Sequence, residues 1–456
     1  MILSFLVYLL IFLFFSIKAF WVCLSPIKLL LLLAIAMPFT VNVNLGVFTI
    51  SIPQIITILF LISCIFYIIT HKISISFGYS VYLFILVTLF GISCSIFYSS
   101  QVNNMIRCFV QSSKILIYLL ASIFSIVLFR KNIGLLKEFL CQIQKGIFVY
   151  SIIGIVVFFS SMVIGADTLP TIRDFNLTSL PQSLTYNQIT GTSLFRAHSM
   201  GEPKALAAWA VIGIIITLYF LLSQGKKSIF FKKQTIYLFI FLTAVFLSFS
   251  RSGLIEIVTV FIIYIMFRDV IRKISIKYIL SIFLIIIIAL VYINFFSTLP
   301  IWIGQSIAEV SVPLDVLLED YDYAVFVYYQ NNPSSILLPK GIAYIEEQSR
   351  PFIPSRATWA FNSKFSIRRG FILSLINFGL IGSVIIFFIL LSFGLRLWKK
   401  NNYPELFFLV AWLAFFSMQV EDILLFHIMM FGVLYMLANY SKNYIFGSAS
   451  INEVVE

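Results

Sequence analysis

Apolar positions in this chain come in long unbroken blocks. They do not alternate as on a half-buried strand, nor recur every third or fourth residue as on a surface helix. The blocks predict helices near 2–17, 22–41, 48–70, 77–99, 107–129, 147–165, 205–222, 235–249, 254–267, 278–296, 370–395, 405–420 and 423–440. The block at 278–296, YILSIFLIIIIALVYINFF, carries no charge. A run of about 20 such residues is what a helix needs to cross about 30 Å of hydrocarbon. Barrel strands would alternate in segments of about ten residues, so a transmembrane barrel is excluded. The expected fold is all-α, a polytopic transmembrane helical bundle of about 12 helices, with roughly 11 to 13 as the range. The count depends on how the first two blocks and those near 235–267 are divided.

Composition agrees with the pattern. Of the 456 residues, 61% are hydrophobic and 11% charged, and the mean hydropathy is +1.05. A soluble domain has about 45–50% apolar and about 25% charged residues. A soluble protein and a single-anchor protein are both excluded. The first block lacks a basic leader and a small-residue cleavage site, and is read as a retained helix.

The net charge of +13 raises the question of nucleic acid, which the placement of the charges answers. Eighteen of the 31 Lys and Arg fall between alternate blocks, on one side of the membrane. They are Lys18 and Lys72, then Arg130, Lys131, Lys137 and Lys145, then Lys226, Lys227, Lys232 and Lys233, then Arg268, Arg272, Lys273 and Lys277, then Arg396, Lys399, Lys400 and Lys442. Positive residues stay on the cytoplasmic side, so the charge records orientation, and no nucleic-acid partner is expected. The chain divides into N-terminal helices (1–165), a first outer loop (166–204), central helices (205–296), a large outer loop (297–369), and C-terminal helices with a short cytoplasmic tail (370–456). The large loop holds Tyr321, Tyr323, Tyr328, Tyr329, Tyr344, Phe352 and Trp359, too aromatic for a disordered segment. Its prolines suggest short helices on the membrane face. The five cysteines form no CxxC pair, three histidines are too few for a zinc site unaided, and no metal or cofactor is expected. No phosphate-binding glycine loop supports ATP hydrolysis.

Candidate chemistry lies where polar groups are costly. An Arg or Lys at a helix centre costs about 2.5–3.5 kcal/mol on insertion scales. Arg196, His198, Glu202 and Lys204 crowd the mouth of the helix that Pro203 opens; a plain helix start with a surface ion pair is the bland alternative. Arg251, in Ser250-Arg251-Ser252-Gly253, sits between two blocks with almost no loop. It could simply snorkel to lipid phosphate, but its planar fork also matches a diphosphate. Lys364, Arg368 and Arg369 lie outside the helix at 370–395, against the charge bias, as anchors or ligand-binding groups. Lys114 and Arg107 are further candidates. The outer acids Asp315, Glu319, Asp320, Asp322, Glu346 and Glu347 read as a solvated face. Arginines suit a lipid-linked phosphate and aromatic rings suit sugar faces, which together point to an outer site for a lipid-diphosphate-linked glycan.

These residues resemble the O-antigen polymerase and ligase superfamily of bacterial inner membranes. The resemblance covers roughly 190–395. It rests on the arginine and Gly-Glu-Pro opening a helix (Arg196 to Pro203), the Ser-Arg-Ser-Gly turn one hairpin later (Ser250 to Gly253), the long loop, and the Gly-Leu-Ile-Gly step (Gly379 to Gly382). Ligase-like members carry a His-Asn pair about a dozen residues before that step. Arg368 and Arg369 stand there in this chain, which favours the polymerase branch and leaves the base unassigned.

The resemblance implies a Gram-negative inner-membrane glycosyltransferase with its site in the periplasm. It would join undecaprenyl-diphosphate-linked oligosaccharide units without nucleotide or metal and release undecaprenyl diphosphate. Arg196 and Arg251 would neutralise the leaving diphosphate, and Glu202 or His198 would accept the hydroxyl proton. Arg368, Arg369, Lys204 and Lys364 would bind substrate, and a chain-length-regulating membrane protein is a candidate partner. The rivals are an O-antigen ligase that transfers glycan to lipid A core, and a lipid-linked oligosaccharide flippase, for which Lys114 speaks.

Overall fold

A computed structural model of the protein describes residues 2–39, 42–44, 49–72, 76–100, 105–164, 184–186, 193–195, 197, 203–224, 228–248, 250–272, 320–353, 370–418 and 424–439. The helices in order are α1 (Ile2–Trp21), α2 (Pro26–Ala36), α3 (Ile52–His71), α4 (Tyr79–Ser99), α5 (Met105–Lys131), α6 (Gly134–Ile164), α7 (Pro203–Gln224), α8 (Ser228–Ser248) and α9 (Arg251–Arg272). Then come α10 (Asp320–Asn331), α11 (Ile342–Ser349), α12 (Gly370–Lys399), α13 (Tyr403–Met418) and α14 (Leu424–Asn439). Two small antiparallel pairs, β1 (Asn42–Asn44) with β2 (Thr49–Ser51) and β3 (Leu184–Tyr186) with β4 (Ser193–Phe195), and two 3-10 turns (Pro333–Ile336 and Arg350–Phe352) complete the described elements.

Among the described residues six helices, α3 to α7 and α12, are long and apolar enough to cross a membrane. α13 and α14 have 16 residues each, about 24 Å of helix, short of a full crossing. α2 has 11. The expected helix at 278–296 lies outside the described residues.

Two expectations need correction. The segment before 147 is helix: α6 starts at Gly134, so Lys137 and Lys145 ride on it. Its buried residues Leu135, Leu136, Phe139, Leu140, Ile143 and Ile147 recur at helical spacing, which makes this stretch amphipathic rather than uniformly apolar. Lys232 and Lys233 likewise lie within α8, and Arg268 and Arg272 within α9. The second expected helix, 22–41, is confined to Pro26–Ala36, with Ser25 at its N-cap and the β1–β2 pair beyond it.

Basic side chains tie one end of the bundle together. The Arg130 guanidinium donates to the Ser76 carbonyl, and the Lys131 ammonium stands 5.1 Å over the Tyr67 ring. Arg396 donates to Asn439 Oδ1 at 2.9 Å and Lys400 Nζ to the Ala438 carbonyl at 3.1 Å. The Gly78 amide donates to the Tyr435 hydroxyl at 3.2 Å, joining the start of α4 to the end of α14. Cations at helix C-termini oppose the helix dipole favourably.

At the centre, every residue of α7 from Leu206 to Phe220 is buried, as is α14 from Leu425 to Ala438. A helix that is apolar all round belongs inside a bundle. One polar knot interrupts this core. Gln144 Nε2 donates to Thr217 Oγ1 at 2.7 Å and to Gln234 Oε1 at 2.6 Å, and Gln234 Nε2 donates back to Gln144 Oε1 at 3.4 Å.

At the opposite end, residues 320–353 fold into a small core of their own. Tyr321, Val325, Tyr328 and Ile345 pack on Ile372, Leu373 and Ile376 of α12. The attachment point is a break in α12 at Gly379, whose φ of 65° and ψ of 179° are not helical. The Ile376 carbonyl accepts from the Lys340 and Gly341 amides, at 3.2 and 3.0 Å, so the loop supplies the hydrogen bonds that the helix lacks there. The Lys340 ammonium lies 3.5 Å over the ring of Tyr98, near the end of α4.

Candidate functional site at the outer ends of α7, α9 and α12

Two segments singled out by the sequence meet at the end of the bundle away from the lysines. Pro203 is the first residue of α7, where its missing amide and fixed φ are no handicap. Ser250 caps α9: its carbonyl accepts from the Leu254 amide at 3.1 Å, and its Oγ accepts from the Gly253 amide at 3.3 Å. The Ser250 and Ser252 hydroxyls are 3.2 Å apart. Arg251 is therefore the first residue of α9, at the positive end of the helix dipole.

The Ala197 amide, one residue past Arg196, donates to the Leu247 carbonyl at 2.8 Å, and Ala197 is fully buried. Arg196 follows directly on β4, whose partner β3 turns the chain back. Gly253 allows the helices to close: a Cβ there would lie 2.9 Å from the Ala207 methyl and 3.1 Å from Val245 Cγ1. The structure thus joins the chain beside Arg196 to the last turn of α8, and packs the first turn of α9 on α7. Lys204, half-buried, is the second residue of α7.

Arg196, His198, Glu202, Lys364, Arg368 and Arg369 lie outside the described residues, and of Arg251 only the backbone is described. Lys114 is half-buried on α5, and Arg107 is in the first turn of that helix.

Several functional candidates carry no local sequence signal. Glu256, five residues past Arg251, is 1% exposed; the only hint is an acid inside an apolar block. Asp322 and Glu346 are buried, which corrects the reading of the loop acids as a solvated face. They enter the small core because α10 and α11 pack together, and Glu346 Oε1 accepts from Arg350 Nη2 at 2.7 Å. Burial pushes the Tyr329 hydroxyl well above the usual phenol range, with Tyr328 adding to the effect. Tyr344 is raised first by burial and then by Tyr328.

A cavity of about 90 Å³ lies at the break in α12. Its walls include Trp412 and Phe416 of α13, with Ser374, Asn377 and Ser383 of α12 and His427 of α14. Among the described residues no cluster of three His, Cys, Asp or Glu could hold a metal ion, and all five cysteines are free thiols. In comparisons with known proteins, no family model and no curated sequence matches the chain.

Proposed function

We propose that the protein is an O-antigen polymerase of the Gram-negative inner membrane, crossing it about 12 times with its site facing the periplasm. It joins undecaprenyl-diphosphate-linked oligosaccharide units and releases undecaprenyl diphosphate. The observation that carries the reading is the Ala197–Leu247 hydrogen bond. It ties Ala197, next to Arg196 in the sequence, to the last turn of α8, three residues before Ser250.

A leaving diphosphate develops negative charge as the glycosidic bond breaks. Fixed guanidinium groups in surroundings poor in water stabilise that charge strongly and need no reorganisation during the reaction. Arg196 and Arg251 fill that role, with Lys204 and the cluster Lys364, Arg368 and Arg369 holding the substrate lipids. Glu202 and His198 sit beside Arg196 in sequence and orient it or take a proton. Tyr323, Tyr344 and Phe352 of the loop, half-buried, offer ring faces to sugars.

The test is the surface lipopolysaccharide ladder from a null strain carrying wild type, Arg196→Ala or Arg251→Ala at matched membrane levels. The expected result is a wild-type ladder that collapses in both variants to core plus one unit. A null strain that keeps its full ladder overturns the function. Variants that keep the ladder overturn the site alone.

One observation favours a second reading, a lipid-linked oligosaccharide flippase. The Gln144–Thr217–Gln234 knot and the fully buried Glu405 place polar groups deep in the lysine-rich half of the bundle, and discontinuous helices such as α12 are a feature of transporters. Loss of a flippase leaves core without any unit, so the same gel separates the two.

A further inference from the structure

We infer that the cavity at the break in α12 is the acceptor subsite of the proposed transferase, and that His427 takes the proton from the attacking sugar hydroxyl. The inference rests on the polymerase reading and adds the base and the acceptor position that reading leaves open.

The cavity lies directly beneath the loop core. Leu373 belongs to both, while Phe416 and Leu424 line the cavity and also pack on the loop core. Aromatic walls with a few convergent polar groups suit a sugar ring, whose C–H faces are apolar and whose edges carry hydroxyls. One of those polar groups awaits a ligand: Ser383 Oγ is buried and lacks a hydrogen-bond partner among the described residues. Asn377, 9% exposed, stands in the same wall. A buried hydroxyl loses about 1–3 kcal/mol when left unpaired, so its retention in a cavity wall points to a polar guest.

The space is about 90 Å³, well above the roughly 10–15 Å³ that a single water needs by that measure, so a hydroxylated ring edge can enter.

The break also prepares the site electrostatically. The second half of α12 begins after Gly379, and its N-terminal amides carry the positive end of the helix dipole. That end favours an oxygen gaining negative charge. His427 is 4% exposed and enclosed by Trp412, Phe415, Phe416 and Phe426, with ring centroids 4.9 to 5.9 Å away. This packing fixes the imidazole, the side chain that exchanges protons near neutral pH. Among the described residues no other titratable side chain lines the cavity; Lys114 of α5, which precedes the lining residue Ile115, is a charged group on the neighbouring helix. The preceding residue on α14, Phe426, meets Trp209 of α7 at 5.8 Å, six residues from the Pro203 that opens α7.

The acceptor O–H bond breaks and its proton passes to an imidazole nitrogen of His427. The oxygen forms a bond to the anomeric carbon of the donor glycan, and the bond from that carbon to the diphosphate oxygen breaks. The electron pair leaves on the diphosphate against Arg196 and Arg251, and the imidazolium returns its proton to water.

The experiment uses the purified full chain in liposomes with undecaprenyl-diphosphate-linked repeat units. Wild type, His427→Ala, His427→Gln and Ser383→Ala are compared at equal reconstituted protein, with and without added imidazole. The expected loss in His427→Ala and His427→Gln is about 10²-fold or more, the usual scale for a positioned base. Imidazole restores part of the His427→Ala rate, and Ser383→Ala raises the KM for the lipid-linked units. A His427→Gln rate equal to wild type, or a His427→Ala protein unresponsive to imidazole, overturns the assignment and leaves the polymerase reading standing. Wild type that joins no units overturns that reading itself.

Discussion

Ala197 and Leu247, 50 positions apart in the chain, share a backbone hydrogen bond of 2.8 Å, and Gly253 lets the helices around it close. A valine at Gly253 would drive its Cβ to within 2.9 Å of the Ala207 methyl and 3.1 Å of Val245, and no flexible side-chain end is there to yield. Overpacking of this kind costs about 1–3 kcal/mol, and it shifts the first turn of α9, which carries Arg251. Gly253→Val is expected to collapse the lipopolysaccharide ladder while the protein still reaches the membrane. Immunoblots of membranes alongside the gel check this, and a full ladder would show that the start of α9 tolerates displacement.

Gly379 carries a different constraint. Its φ of 65° and ψ of 179° lie in a region essentially reserved for glycine, at a cost of about 1–3 kcal/mol for other residues. A Cβ there would also meet the Leu337 carbonyl oxygen at 2.6 Å and the Leu338 carbonyl carbon at 2.7 Å. Both are backbone atoms of the loop that completes the break. Gly379→Ala is therefore expected to detach residues 337–341 from α12. Limited proteolysis of right-side-out vesicles reads this directly: cleavage within 320–353 rises in the variant, and an unchanged pattern would contradict the fit.

Much of this architecture was legible because the bilayer imposes one simple rule, a long apolar block for each crossing. That rule located α3, α4, α5, α7 and α12 within a few residues. It failed at the start of α6, where Lys137 and Lys145 alternate with a buried stripe from Leu135 to Ile147, because an amphipathic stretch breaks a block without ending a helix. Pro203 was readable as a helix start, since capping is local chemistry, whereas Ser250 to Gly253, read as a turn before a helix at 254, already opens α9 at Arg251. Asn377, Glu256 and His427 were not, because a single polar residue in an apolar block has no pattern of its own and its partners come from distant helices. Asp322 and Glu346 were misread for the related reason that burial of a loop depends on the core it builds with α12.

The loop core also carries a pH dependence. Burial holds the Tyr329 phenol above its usual range, so the folded loop favours the neutral form more than the unfolded chain does. Stability from this group is complete below the ordinary phenol pKa of about 10 and is lost as pH rises beyond it. Tyr344, raised mainly by burial, acts in the same direction. Protease resistance of the loop is expected to fall above about pH 10 in wild type and to fall less steeply in Tyr329→Phe. Equal slopes would remove Tyr329 from the account.

The knot of Gln144, Thr217 and Gln234 offers the sharpest energetic test of the bundle's interior. Gln144 and Gln234 exchange hydrogen bonds of 2.6 and 3.4 Å, and Gln144 also reaches Thr217 at 2.7 Å. All three side chains are buried. Removing Gln144 alone strands the Gln234 amide, and an orphaned buried polar group costs about 1–3 kcal/mol. Removing both glutamines in favour of leucine strands neither, and leaves Thr217 donating to the Gly213 carbonyl at 2.7 Å within its own helix. Gln144→Leu and Gln234→Leu should each lower the melting temperature of the detergent-purified protein, and the double variant should recover part of the loss. Strictly additive losses would mean that the two amides do not depend on each other, and that the knot is two independent contacts. Ladder length in the same variants separates the two functional readings: a polymerase whose chemistry lies at the opposite end of the bundle keeps its ladder in the double variant, whereas a transporter that moves its cargo past these amides does not.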